Sequence, residues 1–318
     1  MNVQSLLARF WHTDRPLTLV ALGSILLLLV CLVGMALDPR MITGMPAWDK
    51  PAKFALSVSL YCFTFVWMLG FVQGRGRRLA GWIASLTALG FAVELVIIVM
   101  QVLRGTTSHF NLSTPLNATL YSLMGSFVLL IWVMNFAAAV LLAFQRLPDR
   151  LLAFSLRLGL ALTLLGGGVG ALMTMPTAAQ LQGMSSAAPS VVGAHTVGAP
   201  DGGPGLPFLG WSTAHGDLRA PHFVGLHALQ LLPLLGALIA LTGRRFGWSE
   251  RQRLALLWTG SGAYLGLLGL LLWQALRGQS VVAPDAQTLT AGLGLALAVG
   301  LAVTLTLRTA RPRALAAR

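Results

Sequence analysis

Residues 215–241, HGDLRAPHFVGLHALQLLPLLGALIAL, pass from a crowd of polar side chains straight into an apolar run. The polar part holds His215, Asp217, Arg219, His222, His227 and Gln230. The apolar part, taken from 222 to 242, is long enough to cross a bilayer as a helix. Ionisable groups are expensive in hydrocarbon, so a cluster of them at the mouth of a span points to a functional site.

The rest of the chain has the same apolar character. Of its 318 residues 56% are hydrophobic and 10% charged, whereas a soluble domain carries roughly 25% charged residues. Runs of about 20 apolar residues recur at 17–37, 54–73, 80–103, 116–143, 151–175, 222–242, 254–276 and 288–308. The start, MNVQSLLARFWHTDRP, is too polar for a cleaved signal peptide, and the run behind it is long enough to span. The expected fold is all-α: a polytopic membrane bundle of eight transmembrane helices.

The formal charge of +13 invites a nucleic-acid reading, and its distribution removes it. With the N-terminus inside, 16 cations face three acids on the inner side, and six cations face six acids outside. The excess therefore sits where the positive-inside rule puts it, with both termini cytoplasmic (N-in/C-in) and no nucleic acid as partner. The Arg-rich, Ala/Leu/Gly-rich composition suits a GC-rich bacterium, hence a bacterial inner membrane. Cys31 and Cys62 fall within apolar runs and read as small buried hydrophobes.

Two stretches resemble each other. Arg77–Gly105 and Gln252–Gly278 each open near Arg-Leu-Ala and close on Gln-x-Leu-Arg-Gly. Asp14-Arg15 matches Asp149-Arg150, and Lys50-x-x-Lys53-Phe54 matches Arg219-x-x-His222-Phe223. A 4+4 tandem pseudo-repeat follows, with units at 1–150 and 151–318 and an axis along the membrane normal. The segment 176–221 is the one long loop, rich in Gly and Pro but carrying Phe208 and Trp211. It is expected to fold back over the outer face as a lid.

Polar residues within the runs supply the candidate site. Thr87, Glu94 and Gln101 recur every seven residues on one stripe, with Arg104 a turn beyond. Glu94 is the candidate proton-handling or ligand-holding acid, with an ion pair to Arg104 as the structural alternative. Lys50 and Lys53, the only lysines, open a helix whose macrodipole opposes cations, so they require an anion nearby. Gln101, Asp217 and Gln230 join Lys50, Lys53, Arg104 and Arg219 as ligand-binding candidates, and His222 and His227 join Glu94 for proton handling. His222 and His227 are five apart, about 140° around a helix, which disfavours a simple ligand pair. A metal or haem would need His109 or His215 as well, and no cofactor is specified by the sequence. Gly166-Gly167-Gly168-x-Gly170 reads as close helix packing.

The leading functional reading is a polar pocket opening to the outside that binds or transports a small anionic or amphipathic ligand, or a lipid. The alternatives are a membrane enzyme or redox protein using His-held metal or haem, and a non-catalytic assembly factor.

Overall fold

Short polar side chains set the helix starts. In the computed structural model, which describes residues 2–184 and 189–308, Asp14 accepts from the Leu17 N–H, Thr114 from Asn117, Asp149 from Leu151 and Ser249 from Gln252. Each satisfies an N–H that the first helical turn leaves without an internal partner. The elements are α1 (Val3–Thr13), α2 (Arg15–Leu37), β1 (Met41–Ile42), β2 (Met45–Pro46), α3 (Asp49–Leu69), α4 (Gly76–Leu103) and α5 (Pro115–Ala143). They continue with α6 (Arg150–Met173), α7 (Ala178–Gly183), β3 (Thr196–Val197), β4 (Gly216–Asp217), α8 (Arg219–Leu226), α9 (Ala228–Phe246), α10 (Glu250–Leu276) and α11 (Ala286–Arg308). Arg311, Arg313 and Arg318, counted on the inner side above, lie outside the described residues, as do 185–188 of the long loop.

Among the described residues, eight helices are long and apolar enough to cross a membrane, matching the eight runs read from the sequence. The chain is all-helical apart from two two-stranded ribbons, β1–β2 and β3–β4, both antiparallel. α1, by contrast, gave no signal as an apolar run. It is a short amphipathic helix that packs against α2 and α3.

The sixth run is not one helix. It breaks at His227 into α8 and α9, which corrects the expected span 222–242. Pro233, inside α9, has no N–H and leaves the carbonyl of Leu229, two residues past the break, without its helical donor. The N–H groups of Gln230 and Leu231 both turn to the His227 carbonyl, at 3.1 and 3.0 Å. The carbonyls this releases find partners across the bundle: Tyr264 Oη donates to Val224, and Thr163 Oγ1 to Leu226 at 3.3 Å. Non-helical backbone at membrane depth survives only with such replacements. α8 can lie this close to α6 because Gly166 faces Gly225. A Cβ built on Gly166 would stand 2.4 Å from the Gly225 Cα.

The packing order is the same in the two halves. α2 packs on α3, α4 on α5, and α4 on both α2 and α3. Likewise α6 packs on α8 and α9, α10 on α11, and α10 on α6, α8 and α9. The two Gln-x-Leu-Arg-Gly segments also end their helices alike. Gly105 and Gly278 adopt φ +71° and +72°. The following N–H reaches back to the carbonyl of Gln101 (3.0 Å) or Gln274 (3.2 Å), closing a Schellman turn. Gln101 Nε2 then donates to Thr107 O and Gln274 Nε2 to Ser280 O, six residues on in each case.

Candidate functional site

Two loops meet over the loop-bearing end of the bundle. The α4–α5 connection lies along the segment that follows α7, with Leu112 N–H donating to Ser190 O (2.8 Å) and Val192 N–H to Phe110 O (3.0 Å). Phe110 sits at φ 61°, a conformation costly for an aromatic residue and a mark of a site the surroundings over-determine. Gly193, at φ +100°, makes room for it, since a Cβ there would touch the Phe110 ring at 2.6 Å. The buried Phe110 ring packs edge-on to His195 at 4.8 Å and to Tyr121 at 5.8 Å.

His109 is therefore presented inward, with Phe54 at 5.8 Å and Tyr121 at 6.5 Å between centroids. Its Nδ1 stands 3.1 Å from Lys50 Nζ and 3.0 Å from Ser108 Oγ. When Lys50 is the ammonium, which can only donate, Nδ1 is the bare nitrogen and the ring proton is on Nε2. Burial, and then the charges of Lys50 and the neighbouring His195 and His222, hold the His109 imidazole well below the usual histidine range.

Lys50 has no carboxylate within 4 Å among the described residues. The acids within its electrostatic reach are Asp201 and, from inside the bundle, Glu94. Glu94 is 2% exposed, and neither of its oxygens has a hydrogen-bond partner. The expected pair between Glu94 and Arg104 does not form. Arg104 turns outward to Gln101 Oε1 (2.5 Å) and Asn117 Oδ1 (2.8 Å). Lys50 and the buried Glu94 thus lie within electrostatic reach of each other, with His109 against Lys50, and form no ion pair.

The other cations are already matched. Lys53 Nζ sits 2.5 Å from Asp49 and donates to Leu209 O at 3.2 Å. Arg219 forks onto Asp217, at 2.6 Å from Nη2, and also donates to Gly210 O. The same Asp217, almost fully buried, accepts from the Ser212 N–H at 2.7 Å. Lys53 and Arg219 therefore converge on residues 209–210 and pin the long loop to α3 and α8, as a lid requires. Asp201 fixes the His195 end of the loop through the His195 ring (2.6 Å) and the Thr196 N–H (2.9 Å). Burial works against the charged carboxylate, but those hydrogen bonds outweigh it and hold Asp201 below the usual range; burial likewise holds the His195 imidazole low despite its partner.

The remaining candidates divide. His222 Nδ1 lies 2.8 Å from Gly166 O, its ring against bare Gly170. Gln101 serves the α4 terminus, hydrogen-bonded to Thr107 and Asn117. His227 packs its ring at a tilt against Phe223, 4.2 Å between centroids, and Gln230 lines a separate, lipid-side groove. His215 lies exposed on the loop. Among the described residues no three His, Cys, Asp or Glu side chains gather as a metal would need, so His109, His215, His222 and His227 do not form one donor set.

His195, Asp201, Phe110 and Tyr121 were not singled out by sequence reasoning. The alternation of His, Asp and Gly within 193–203 was the available signal, and nothing in it specified which helix the loop would meet. No family model, curated protein or solved structure matches the chain.

Proposed function

We propose that the chain is a multi-pass protein of the bacterial inner membrane whose extracytoplasmic end binds a small anionic or amphipathic ligand between Lys50, His109 and Glu94. The observation that carries this reading is the buried Glu94, both of whose oxygens are unpartnered, with Lys50 within electrostatic reach but not paired to it. A buried carboxyl group left without a hydrogen bond costs about 1–3 kcal/mol. A ligand that offers a hydroxyl or N–H to Glu94 removes that cost, and an acceptor on the same ligand adds a second contact to Lys50 beside His109. Lys53 and Arg219, neutralised by Asp49 and Asp217, hold the lid. Glu94 and His109 are placed to exchange a proton with the ligand, and His222 supports them from α8.

The positive-inside charge distribution supports N-in/C-in. The matched packing order and the paired Gln-x-Leu-Arg-Gly turns support the 4+4 pseudo-repeat, with units at 1–150 and 151–318. Only the first unit carries the acid, because Leu267 stands seven residues before Gln274 where Glu94 stands before Gln101. The site is thus an asymmetric addition to a repeated scaffold.

Thermal unfolding of the purified protein with a panel of short hydroxycarboxylates, and the same acids lacking the hydroxyl, tests the reading. Ligand at about 100 times Kd stabilises by about 2.7 kcal/mol. Lys50→Ala and Glu94→Gln are expected to abolish that stabilisation, and Lys53→Ala to weaken it less. Equal stabilisation of wild type, Lys50→Ala and Glu94→Gln refutes the site.

A further inference from the structure

A second feature lies on the membrane-facing side, away from Lys50. A cavity of about 720 Å³ opens between α1, α2, α3 and α9, at the seam between the first and second halves of the bundle. That volume falls in the range of small-molecule sites, roughly 300–1,000 Å³. Its walls include Ile25, Phe63, Trp67, Pro233 and Leu234. One side is closed by α1, which contributes Val3, Leu6, Leu7 and Phe10. These fall at i, i+3, i+4 and i+7, the apolar stripe of an amphipathic helix lying in the interface. Leu22, Ile25 and Leu234 are 39%, 41% and 55% exposed, so the groove is open sideways to the bilayer.

Two polar side chains, Gln230 and Thr64, interrupt this apolar lining. The carboxamide oxygen of Gln230 is buried there and accepts no hydrogen bond. His227 is poised toward Gln230 but falls outside hydrogen-bond geometry. The other polar side chain in the wall, Thr64, spends its hydroxyl on Leu60 O at 2.7 Å. A buried acceptor in hydrocarbon needs a donor. The neighbouring α8–α9 break leaves this turn of backbone without the regular ladder that would otherwise stiffen it.

We infer that this groove is a lateral binding site for a single-chain amphipathic lipid whose head donates a hydrogen bond, a hydroxyl being the simplest case. The chain lies along α2, α3 and α9 with α1 as its cover, and the head meets the Gln230 carboxamide after a rotation of that side group. The site is independent of the Lys50–Glu94 site and stands or falls separately.

The test uses the full-length protein in nanodiscs with two photoreactive probes of equal length, a diazirine-bearing long-chain alcohol and its hydrocarbon analogue, mapped by mass spectrometry. The alcohol is expected to label the peptides around Leu22–Ile25, Phe63–Trp67 and Leu234–Ala237 in preference to the hydrocarbon. Gln230→Leu should reduce alcohol labelling about three- to tenfold, the value of one hydrogen bond. Gln230→Glu, which keeps an acceptor, should retain it. Ala237→Trp, which fills the groove from an exposed position, should block it. Equal labelling by both probes, or labelling unchanged in Gln230→Leu and Ala237→Trp, overturns the proposal and makes the groove ordinary annular surface.

Discussion

Replacing Gly166 with Ala isolates the contact that seats α8, and with it His222, against α6. The added Cβ would lie 2.4 Å from the Cα and carbonyl carbon of Gly225 and 2.7 Å from Leu226 N, all backbone atoms that no rotamer change can move. Ordinary contact begins at 3.4 Å, so the helices must part by about 1 Å. That displacement stretches two bonds that cross the same interface, His222 Nδ1 to Gly166 O at 2.8 Å and Thr163 Oγ1 to Leu226 O at 3.3 Å. Overpacking costs typically 1–3 kcal/mol, and each weakened hydrogen bond adds roughly 0.5–1.5 kcal/mol. The expected loss is therefore about 2–6 kcal/mol. Gly168→Ala, two residues along the same helix, is the internal control: nothing lies within 4 Å of its Cβ position. Helix propensity there favours Ala by up to about 1 kcal/mol. Reversible unfolding in mixed micelles by added denaturing detergent, followed by far-UV circular dichroism, measures both. The geometry is refuted if Gly166→Ala is as stable as Gly168→Ala.

Further expectations concern the lid and the caps. Arg219→Ala leaves the almost fully buried Asp217 carboxylate without its guanidinium, a loss of up to about 3–5 kcal/mol for a broken buried pair, less here because Arg219 is partly exposed. Limited proteolysis should then cut within 204–212 while the helical core resists; an uncut loop would show that Arg219 does not pin it. His109 and His195 titrate below the usual histidine range in the folded protein. The unfolded chain therefore takes up protons first, and stability should fall as pH drops below about 6.5. Asp201, held low, adds a further loss as pH falls below about 4. Unfolding midpoints between pH 8 and 5 check this, and a His109→Asn/His195→Asn variant should flatten the slope. Gln101→Leu and Gln274→Leu should each cost about 0.5–1.5 kcal/mol for the hydrogen bond lost to Thr107 or Ser280, Thr107 keeping a second donor in Asn111. Markedly unequal losses would argue against equivalent turns.

Eight spans were legible because a bilayer crossing writes itself into composition: about 20 apolar residues, whatever their neighbours. The caps at Asp14, Asp149 and Ser249 were local for the same reason. The site was legible only in part. Glu94 and Lys50 stand out as ionisable groups at membrane depth or at its edge, and the structure brings them within electrostatic reach of each other. The partners they were expected to take were not legible. Arg104, a turn or so beyond Gln101, looked suited to Glu94, yet it faces Asn117 on the next helix. His195 and Asp201 were hidden because a Gly- and Pro-rich loop carries no periodicity to say what it will touch.

The sequence by itself determined the apolar, multi-pass class and the eight helices long enough to cross a membrane, because both depend on one-dimensional quantities: run length and hydropathy. Tertiary structure decided where the sixth span breaks, since the cost of breaking at His227 is offset only by hydroxyls from Tyr264 and Thr163 on other helices. It also decided which cations are neutralised and which are not. Lys53 and Lys50 are three residues apart and chemically identical, yet one meets Asp49 and the other meets His109. That difference arises from packing between distant segments, which the one-dimensional pattern does not encode.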